Sequence, residues 1–379
     1  MKILVITNIP NPYRIPLFNE LNIQLREKGM DLKVIFAAET YSRRKFVIDL
    51  NDCKFEFAFL GSEQISFGNS EKTTFRYGNL TEVLKSENPD RIIVSGFSMA
   101  TMKVWWYTKF SKAKYLIWSG SVTTKGKGAS FIRSLQRKVL AANSAAFIVY
   151  GKRAGKYLES LGVQAKRIFK AINTVDTTFF REKTVELQGK SRLSDNKHRL
   201  SYVGYLSKRK NVDQLLICIR QLANVRQDFV LDLIGDGDHL SDLQRQVVEL
   251  KLESFVQFTG FKQKEELPEY YAQTEVFLFQ TGFDIWGLVL NEAMAAGLPC
   301  IASPNAGAVD DLIEDGKTGF IVDFNNVDRV LEKINFLLDN KEQAKIIGMN
   351  ASQFILHNAG VKQSAKGFVD AIVYSNNNE

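Results

Sequence analysis

Cysteine is scarce in this chain and poorly spaced for bonding. Cys53, Cys218 and Cys300 are its only three, far apart and with no C-x-x-C pair, which excludes a disulfide framework and a thiolate zinc site from the expectation. Histidine is equally thin. His198, His239 and His357 are the whole complement; they fall in helical or linker contexts and read as surface positions, so no catalytic histidine is expected. No apolar run approaches the ~20 residues that a bilayer-spanning helix requires. The opening MKILVIT has an apolar core of only residues 3–6, too short for the core of a signal peptide, and reads as a buried first strand. A soluble, cytoplasmic protein is expected. The last absence is of acid: residues 91–158 hold thirteen Lys and Arg and no Asp or Glu.

What is present is ordinary globular material, 45% hydrophobic and 24% charged over 379 residues, too long for one typical core and suited to two domains. Short β-branched or apolar runs at 2–7, 32–37, 91–95, 115–118 and 146–150 alternate with helical patterns, and the rhythm resumes at 199–204, 229–234, 256–259, 276–280 and 300–303. Such alternation predicts α/β domains with parallel sheets and crossover helices, whose ligand crevices lie at the carboxyl ends of the strands. A polar, charge-rich lapse over 174–197 reads as the interdomain linker. The domains are expected at 1–180 and 181–363.

Charge divides unevenly between them. Residues 1–180 carry 28 Lys+Arg against 14 Asp+Glu, net +14, and the remainder 22 against 28, net −6. Within the acid-free stretch, FIRSLQRKVL puts Phe131, Leu135 and Val139 on one helical face and Arg133, Arg137 and Lys138 towards another. Trp105, Trp106 and Tyr107 lie in the same region. These apolar residues are either interfacial or core. The basic side predicts an anionic neighbour, and without a zinc finger, helix-turn-helix or RRM-like motif a membrane surface or phosphate-bearing acceptor is favoured over nucleic acid.

Residues 279–304 read FQTGFDIWGLVLNEAMAAGLPCIASP. An apolar run ends at Gln280, Thr281 and Gly282 break it, Asp284 follows, and Gly287 opens a helical pattern carrying Glu292. Strand, glycine-bearing turn and helix start present free backbone N–H groups and a positive dipole end, an arrangement that takes a phosphate. On a 3.6-residue period Glu292 shares a face with Leu288, Ala295 and Ala296, which predicts a carboxylate on the core-facing side. Such a group is costly unless hydrogen-bonded, and a hydroxyl-rich ligand would do that. The alternative is that Asp284 caps the helix and Glu292 meets a structural Arg or Lys.

In the setting DIWGLVLNEAMAAGLP, Asp284 and Glu292 resemble the signature of family-4 retaining glycosyltransferases. The resemblance implies the GT-B fold: two doubly wound, Rossmann-like parallel-sheet domains facing across a cleft, with a C-terminal helix, here about 364–379, crossing back to the first. It implies that Asp284, standing where Glu is commoner, meets the donor sugar. The helix start at Gly287 would take the distal phosphate and Glu292 the nucleotide ribose, with Trp286, Leu288 and Val289 lining the donor. Residues 202–211, YVGYLSKRKN, align with the family's glycine-arginine-leucine and following lysine. Lys210 matches by spacing, Tyr205 after Gly204 stands at the usual arginine, and Arg209 is the substitute cation. Gly235-Asp-Gly237, Gly260-Phe261-Lys262, where main-chain groups would hold the base, and Gly307 with 311–319 carry the match over most of 145–335. Two other glycine patterns fail: Gly235-Asp-Gly237 has Leu240 where a dinucleotide fingerprint needs its third glycine, and Gly126-Lys127 precedes Gly128 with the wrong spacing for a phosphate loop.

The first half is less diagnostic. Asn8-Ile-Pro10-Asn-Pro12-Tyr13-Arg14 follows the first strand, and two prolines fix a loop at its carboxyl end. Tyr13 and Arg14, with Ser121 where many family members have histidine nearby, are the acceptor-side candidates; a structural role is the alternative. No carboxylate or histidine base stands out in this half, which favours retention over inversion. The expected activity is metal-independent transfer from a nucleotide sugar, UDP being the commonest donor nucleotide in the family, to a glycan or lipid-linked acceptor in cell-surface polysaccharide synthesis. Lys210, Arg209 and the helix start would stabilise the departing diphosphate. No cofactor beyond the nucleotide sugar is expected, and the inner face of the cytoplasmic membrane is the expected location. The rivals are a nucleotide-sugar epimerase of the same fold and a non-catalytic, basic, membrane-associated binding protein.

Overall fold

The computed structural model describes residues 1–40, 45–66, 73–123, 131–188 and 197–377, which leaves out Gly126, Lys127 and Gly128. The chain divides into two compact units, Met1–Thr174 with Val361–Glu379, and Val175–Gly360.

Unit 1 is built on β1 (Lys2–Thr7), β2 (Asp31–Phe36), β3 (Glu56–Phe59), the hairpin β4 (Glu63–Ser66) and β5 (Thr73–Arg76), β6 (Arg91–Ser95), β7 (Lys114–Ser119), β8 (Ala146–Val149) and β9 (Ile168–Lys170). Among the described residues its main sheet runs β3-β2-β1-β6-β7-β8-β9, every pair parallel. β1 lies in the middle because Ile3 to Ile6 are apolar without interruption, and a central parallel strand is covered on both faces. The helices are α1 (Ile15–Arg26), α2 (Leu80–Glu87), α3 (Met99–Thr108), α4 (Phe131–Asn143) and α5 (Lys152–Ser160). Pro16 suits the first turn of α1, where its missing N–H costs nothing. Ser98 and Thr101 form a reciprocal capping box on α3.

Unit 2 contains α6 (Thr177–Leu187), β10 (His198–Val203), α7 (Val212–Leu222), β11 (Phe229–Ile234), α8 (Leu240–Glu249), β12 (Val256–Gly260), α9 (Leu267–Gln273), β13 (Val276–Phe279), α10 (Leu288–Ala295), β14 (Cys300–Ala302), α11 (Val309–Leu312), β15 (Phe320–Ile321), α12 (Val327–Asp339) and α13 (Lys341–Asn358). Its sheet runs β12-β11-β10-β13-β14-β15, again all parallel among the described residues. The last helix, α14 (Val361–Asn377), returns to unit 1. It buries Ala365, Phe368 and Ile372 there, the Phe368 ring lying 4.9 Å from that of Trp118. Burying side chains of that size is worth ~1.5–3 kcal/mol each.

In both units the strand order reverses beside the first strand, between β1 and β6 and between β10 and β13. In open α/β sheets such a switch point leaves a crevice at the strands' carboxyl ends.

Two sequence expectations need correction. The stretch 174–197 is not all linker: α6 occupies much of it, capped by the Asp176 carboxylate, which accepts from Phe179 N at 3.1 Å. Glu182, Lys183 and Glu186 face water, while Thr177, Phe180 and Thr184 are buried and Phe180 packs edge-on against Tyr271. Residues 189–196 lie outside the described residues. The unit boundaries accordingly fall at 174/175 and 360/361 rather than 180/181 and 363/364.

Candidate active site

The β10/β13 switch point of unit 2 draws its chemistry from three loops. After β10, Lys208, Arg209 and Lys210 form one turn of 3-10 helix. Lys210 is buried, and its ammonium pairs with the Asp284 carboxylate from the loop after β13. The other Asp284 oxygen accepts from Trp286 N at 3.2 Å. The Asp284 backbone is clamped as well: its N–H donates to Asn305 O at 3.1 Å, and its carbonyl accepts from Gly307 N at 3.0 Å. Gly307 is required there, since a Cβ would stand 1.9 Å from the Ile285 carbonyl oxygen. Asp284 does not cap α10; Gly287 occupies the N-cap with no side-chain hydrogen bond.

Gly287 has φ +103°, a left-handed conformation, and a Cβ on it would meet the Phe279 ring at 2.5 Å. The helix it opens has no acidic residue in its first turn, so its positive end is not neutralised from within. An exposed cation, Arg209, stands beside it and donates from Nη1 to the Phe283 carbonyl. A buried ammonium, a carboxylate that positions it and an open helix start are groups whose chemistry suits an anion.

Glu292 occupies the next turn of α10. Leu290, Asn291, Ala293, Met294 and Ala295 are buried, whereas Glu292 lies half-buried with Leu288 and Val289. The expected core-facing position holds in part: the residue is not fully covered, but its carboxylate is desolvated against the buried Tyr271. Its carboxylate accepts from Tyr271 Oη on α9 at 2.9 Å. Desolvation pushes the Glu292 carboxyl up to about 7, against the opposing hydrogen bond from Tyr271 and the charge of Lys264. The Tyr271 phenol is itself pushed well above its ordinary range by burial, with the Glu292 charge adding to this.

The remaining expected residues are distributed as follows. Gly204 and Tyr205 follow β10 directly, Tyr205 exposed. Beneath Gly204 lies the Tyr202 hydroxyl, buried with no hydrogen-bond partner among the described residues. Gly260 ends β12 with φ +74°, and Phe261 beside it is exposed. Trp286 departs from its implied role: it is 4% exposed and its Nε1–H donates to Asn291 Oδ1 at 2.9 Å, so the ring packs inside the unit. Tyr271 carried no motif signal, because an isolated tyrosine reads as core. In unit 1, Tyr13 and Arg14 lie between β1 and α1, and Ser121 N donates to Ser119 Oγ at 3.0 Å after β7.

Two of the three histidines are not surface residues. His198 bonds Glu275 at 2.8 Å and His239 bonds Asp213 at 2.8 Å, both side chains largely covered. His357 is exposed, its ring on the Gln353 carbonyl.

Comparison with known proteins accounts for this arrangement. The family model for glycosyl transferases group 1 matches residues 184–354, nearly all of unit 2. Unit 2 is thus similar to glycosyl transferases group 1. The chain is 31% identical over 206 residues to the sulfoquinovosyl transferase SQD2 of Arabidopsis thaliana, covering 52% of this chain and 39% of SQD2. It is 33% identical over 157 residues to a GDP-mannose-dependent α-(1-6)-phosphatidylinositol monomannoside mannosyltransferase of Mycolicibacterium smegmatis, covering 40% of this chain and 41% of that enzyme. The chain thus spans less than half the length of these curated relatives. Among solved structures, HepE of Anabaena in complex with UDP matches with a TM-score of 0.78 at 18% identity, over 98% of this chain and 100% of HepE. The fold is GT-B, and Lys210, Asp284, Gly287 and Glu292 all lie within the family-matched residues.

Proposed function

We propose that the chain is a retaining glycosyltransferase that moves a sugar from a nucleotide sugar, with UDP the favoured nucleotide, to a glycan or lipid-linked acceptor in cell-surface polysaccharide synthesis. The observation that carries this reading is the Lys210–Asp284 pair beside the open start of α10, at the switch point of a group 1 domain. Lys210, Arg209 and the α10 N–H groups receive the diphosphate and stabilise its charge as it departs, and Asp284 orients the sugar. Glu292, held by Tyr271, takes the ribose hydroxyls, and the main chain around Gly260 takes the base. HepE was solved with UDP, which supports the choice of nucleotide. All three histidines lie in unit 2, so unit 1 brings no imidazole base. That supports retention, in which the leaving phosphate takes the acceptor proton. The transfer is proposed to need neither metal nor cofactor.

The acceptor is proposed to lie at an anionic membrane on the cytoplasmic side. Helix α4 supports this, with Phe131 81%, Ile132 76%, Leu135 52% and Val139 37% exposed beside exposed Arg133 and Lys138. Apolar residues flanked by cations suit a bilayer surface. Arg137 is not part of that face; it bonds the Tyr157 hydroxyl and lies over the Phe97 ring. Trp105 and Tyr107 pack against the unit 1 core, leaving Trp106 exposed. No helix of the described residues is long and apolar enough to cross a membrane.

A panel of nucleotide sugars tests the function. Nucleotide release stimulated by an acceptor, with the anomer of the product assigned by NMR, is the expected result. Sugar isomerisation without release would instead establish the epimerase, and nucleotide binding without turnover the binding protein.

A further inference from the structure

We propose that the β1/β6 switch point of unit 1 is an oxyanion subsite centred on Arg14, which takes a carboxylate or phosphate carried by the acceptor. This rests on the assignment of unit 1 to the acceptor. Thr7 and Ser95 end β1 and β6, the two strands that flank the reversal, and Ser95 Oγ donates to Thr7 Oγ1 at 3.3 Å. Arg14 lies over them. Its Nη1 donates to Thr7 Oγ1 and its Nη2 to Tyr150 Oη, both at 2.9 Å, and the guanidinium stacks 4.1 Å from the Trp118 ring centre.

Every one of these partners is neutral. The groups that act electrostatically on Arg14 are Tyr150 and Tyr13, with no carboxylate among them. Buried guanidinium groups are ordinarily paired with an acid, because desolvating a charge is expensive. Here cation–π stacking and hydroxyl dipoles hold the charge without cancelling it. The local hydrogen-bond balance is also one-sided. Among the described residues Arg14 Nε and Trp118 Nε1 are both buried donors with no acceptor, and donors left over at a strand-order reversal call for an acceptor-only ligand. Arg14 is the N-cap of α1, whose first turn contains no acidic residue, so the helix adds positive potential at the same point. Tyr150 cannot readily withdraw, since its ring lies against Gly120, where a Cβ would stand 2.3 Å away.

An oxyanion meets these conditions and a neutral sugar does not. Glucuronate and glucose 6-phosphate present the carboxylate and the phosphate separately, and glucose is the neutral control. The readout is the Nε–H resonance of Arg14 in protein labelled with 15N-arginine, recorded with UDP present so that the phosphate groups of unit 2 are occupied. We expect one or both anions to shift that resonance where glucose leaves it unmoved, and Arg14→Gln to bind the effective anion roughly tenfold more weakly, the loss of a charge-assisted hydrogen bond. Which anion acts identifies the acceptor group. The inference is overturned if both anions leave the resonance where glucose leaves it, or if Arg14→Gln keeps the wild-type preference. Should Arg14→Gln fail to fold, the resonance of the wild-type protein decides alone. UDP affinity is measured on the same samples, so a protein that binds the anion and no nucleotide loses the donor assignment and keeps this subsite.

Discussion

The two units share one topology, with the strand order reversing beside the first strand of each, yet the charges placed at the two reversals differ. At the unit 2 crevice the buried Lys210 ammonium already has its counter-charge in Asp284, and the loop holding that acid is clamped by Asn305 and Gly307. At the unit 1 crevice Arg14 has hydroxyls and an indole face. A paired cation can be handed to a ligand while its partner remains in reach, which suits the reversible binding of an anion. An unpaired cation favours whatever anion arrives and holds it. The fold supplies the crevice in both cases, and residues on the loops decide what enters.

The largest expected effect breaks the comparison on the unit 2 side. Lys210→Ala removes the buried cation and leaves Asp284 uncompensated. Consumption of the donor sugar should fall by ~10²–10³-fold, the range for loss of one preorganised charge-stabilising donor. A variant within tenfold of wild type would mean that Lys210 serves only to position Asp284.

The next effect concerns Glu292 and has a defined sign. Its folded carboxyl sits at about 7 against an ordinary 4.5, so between those pH values the folded state binds more protons than the unfolded one. Stability then falls as pH rises through that window and levels off above it. Glu292→Gln should remove this component, flattening the thermal midpoint between pH 5 and pH 8 relative to wild type by the equivalent of ~1–3 kcal/mol. The same variant should weaken nucleotide binding measured by calorimetry. Parallel wild-type and variant pH profiles would show that the carboxyl is not desolvated.

On the unit 1 side, Arg133→Glu with Lys138→Glu should weaken sedimentation with vesicles containing anionic lipid. The expected change is about 1 kcal/mol per residue, greatest at low salt and vanishing as salt screens it. Nucleotide affinity should be unchanged, because no group of the unit 2 site is touched. Wild-type protein that does not sediment at low salt would exclude the membrane. The smallest effect sharpens the count of cations at unit 2: Arg209→Ala should reduce turnover less than Lys210→Ala, since Arg209 is exposed and solvent screens its charge. Equal losses would show that the two act as one unit.

The main strands were legible because buried parallel strands are short continuous apolar runs. All ten runs identified from sequence are strands. β3, β9, β15 and the β4/β5 pair were not, being two to four residues long or outside the main sheets. α6 was hidden by its charged outer face. Within the site, the pairing of Lys210 with Asp284 joins residues 74 positions apart, and no local pattern encodes it. The partial exposure of Glu292 was not legible in a helix with buried residues on most sides, nor was the bond between Trp286 and Asn291.

The sequence by itself determined the order of the main strands, the parallel α/β class and the charge imbalance, since each follows from composition and spacing along the chain. Tertiary structure decided which cation has an acid beside it. It paired Lys210 with Asp284, left Arg14 among hydroxyls and aromatic rings, turned Arg137 inward and exposed Phe131, Ile132 and Leu135. Coulomb energies and desolvation depend on distance and burial in three dimensions, and separation in sequence specifies neither.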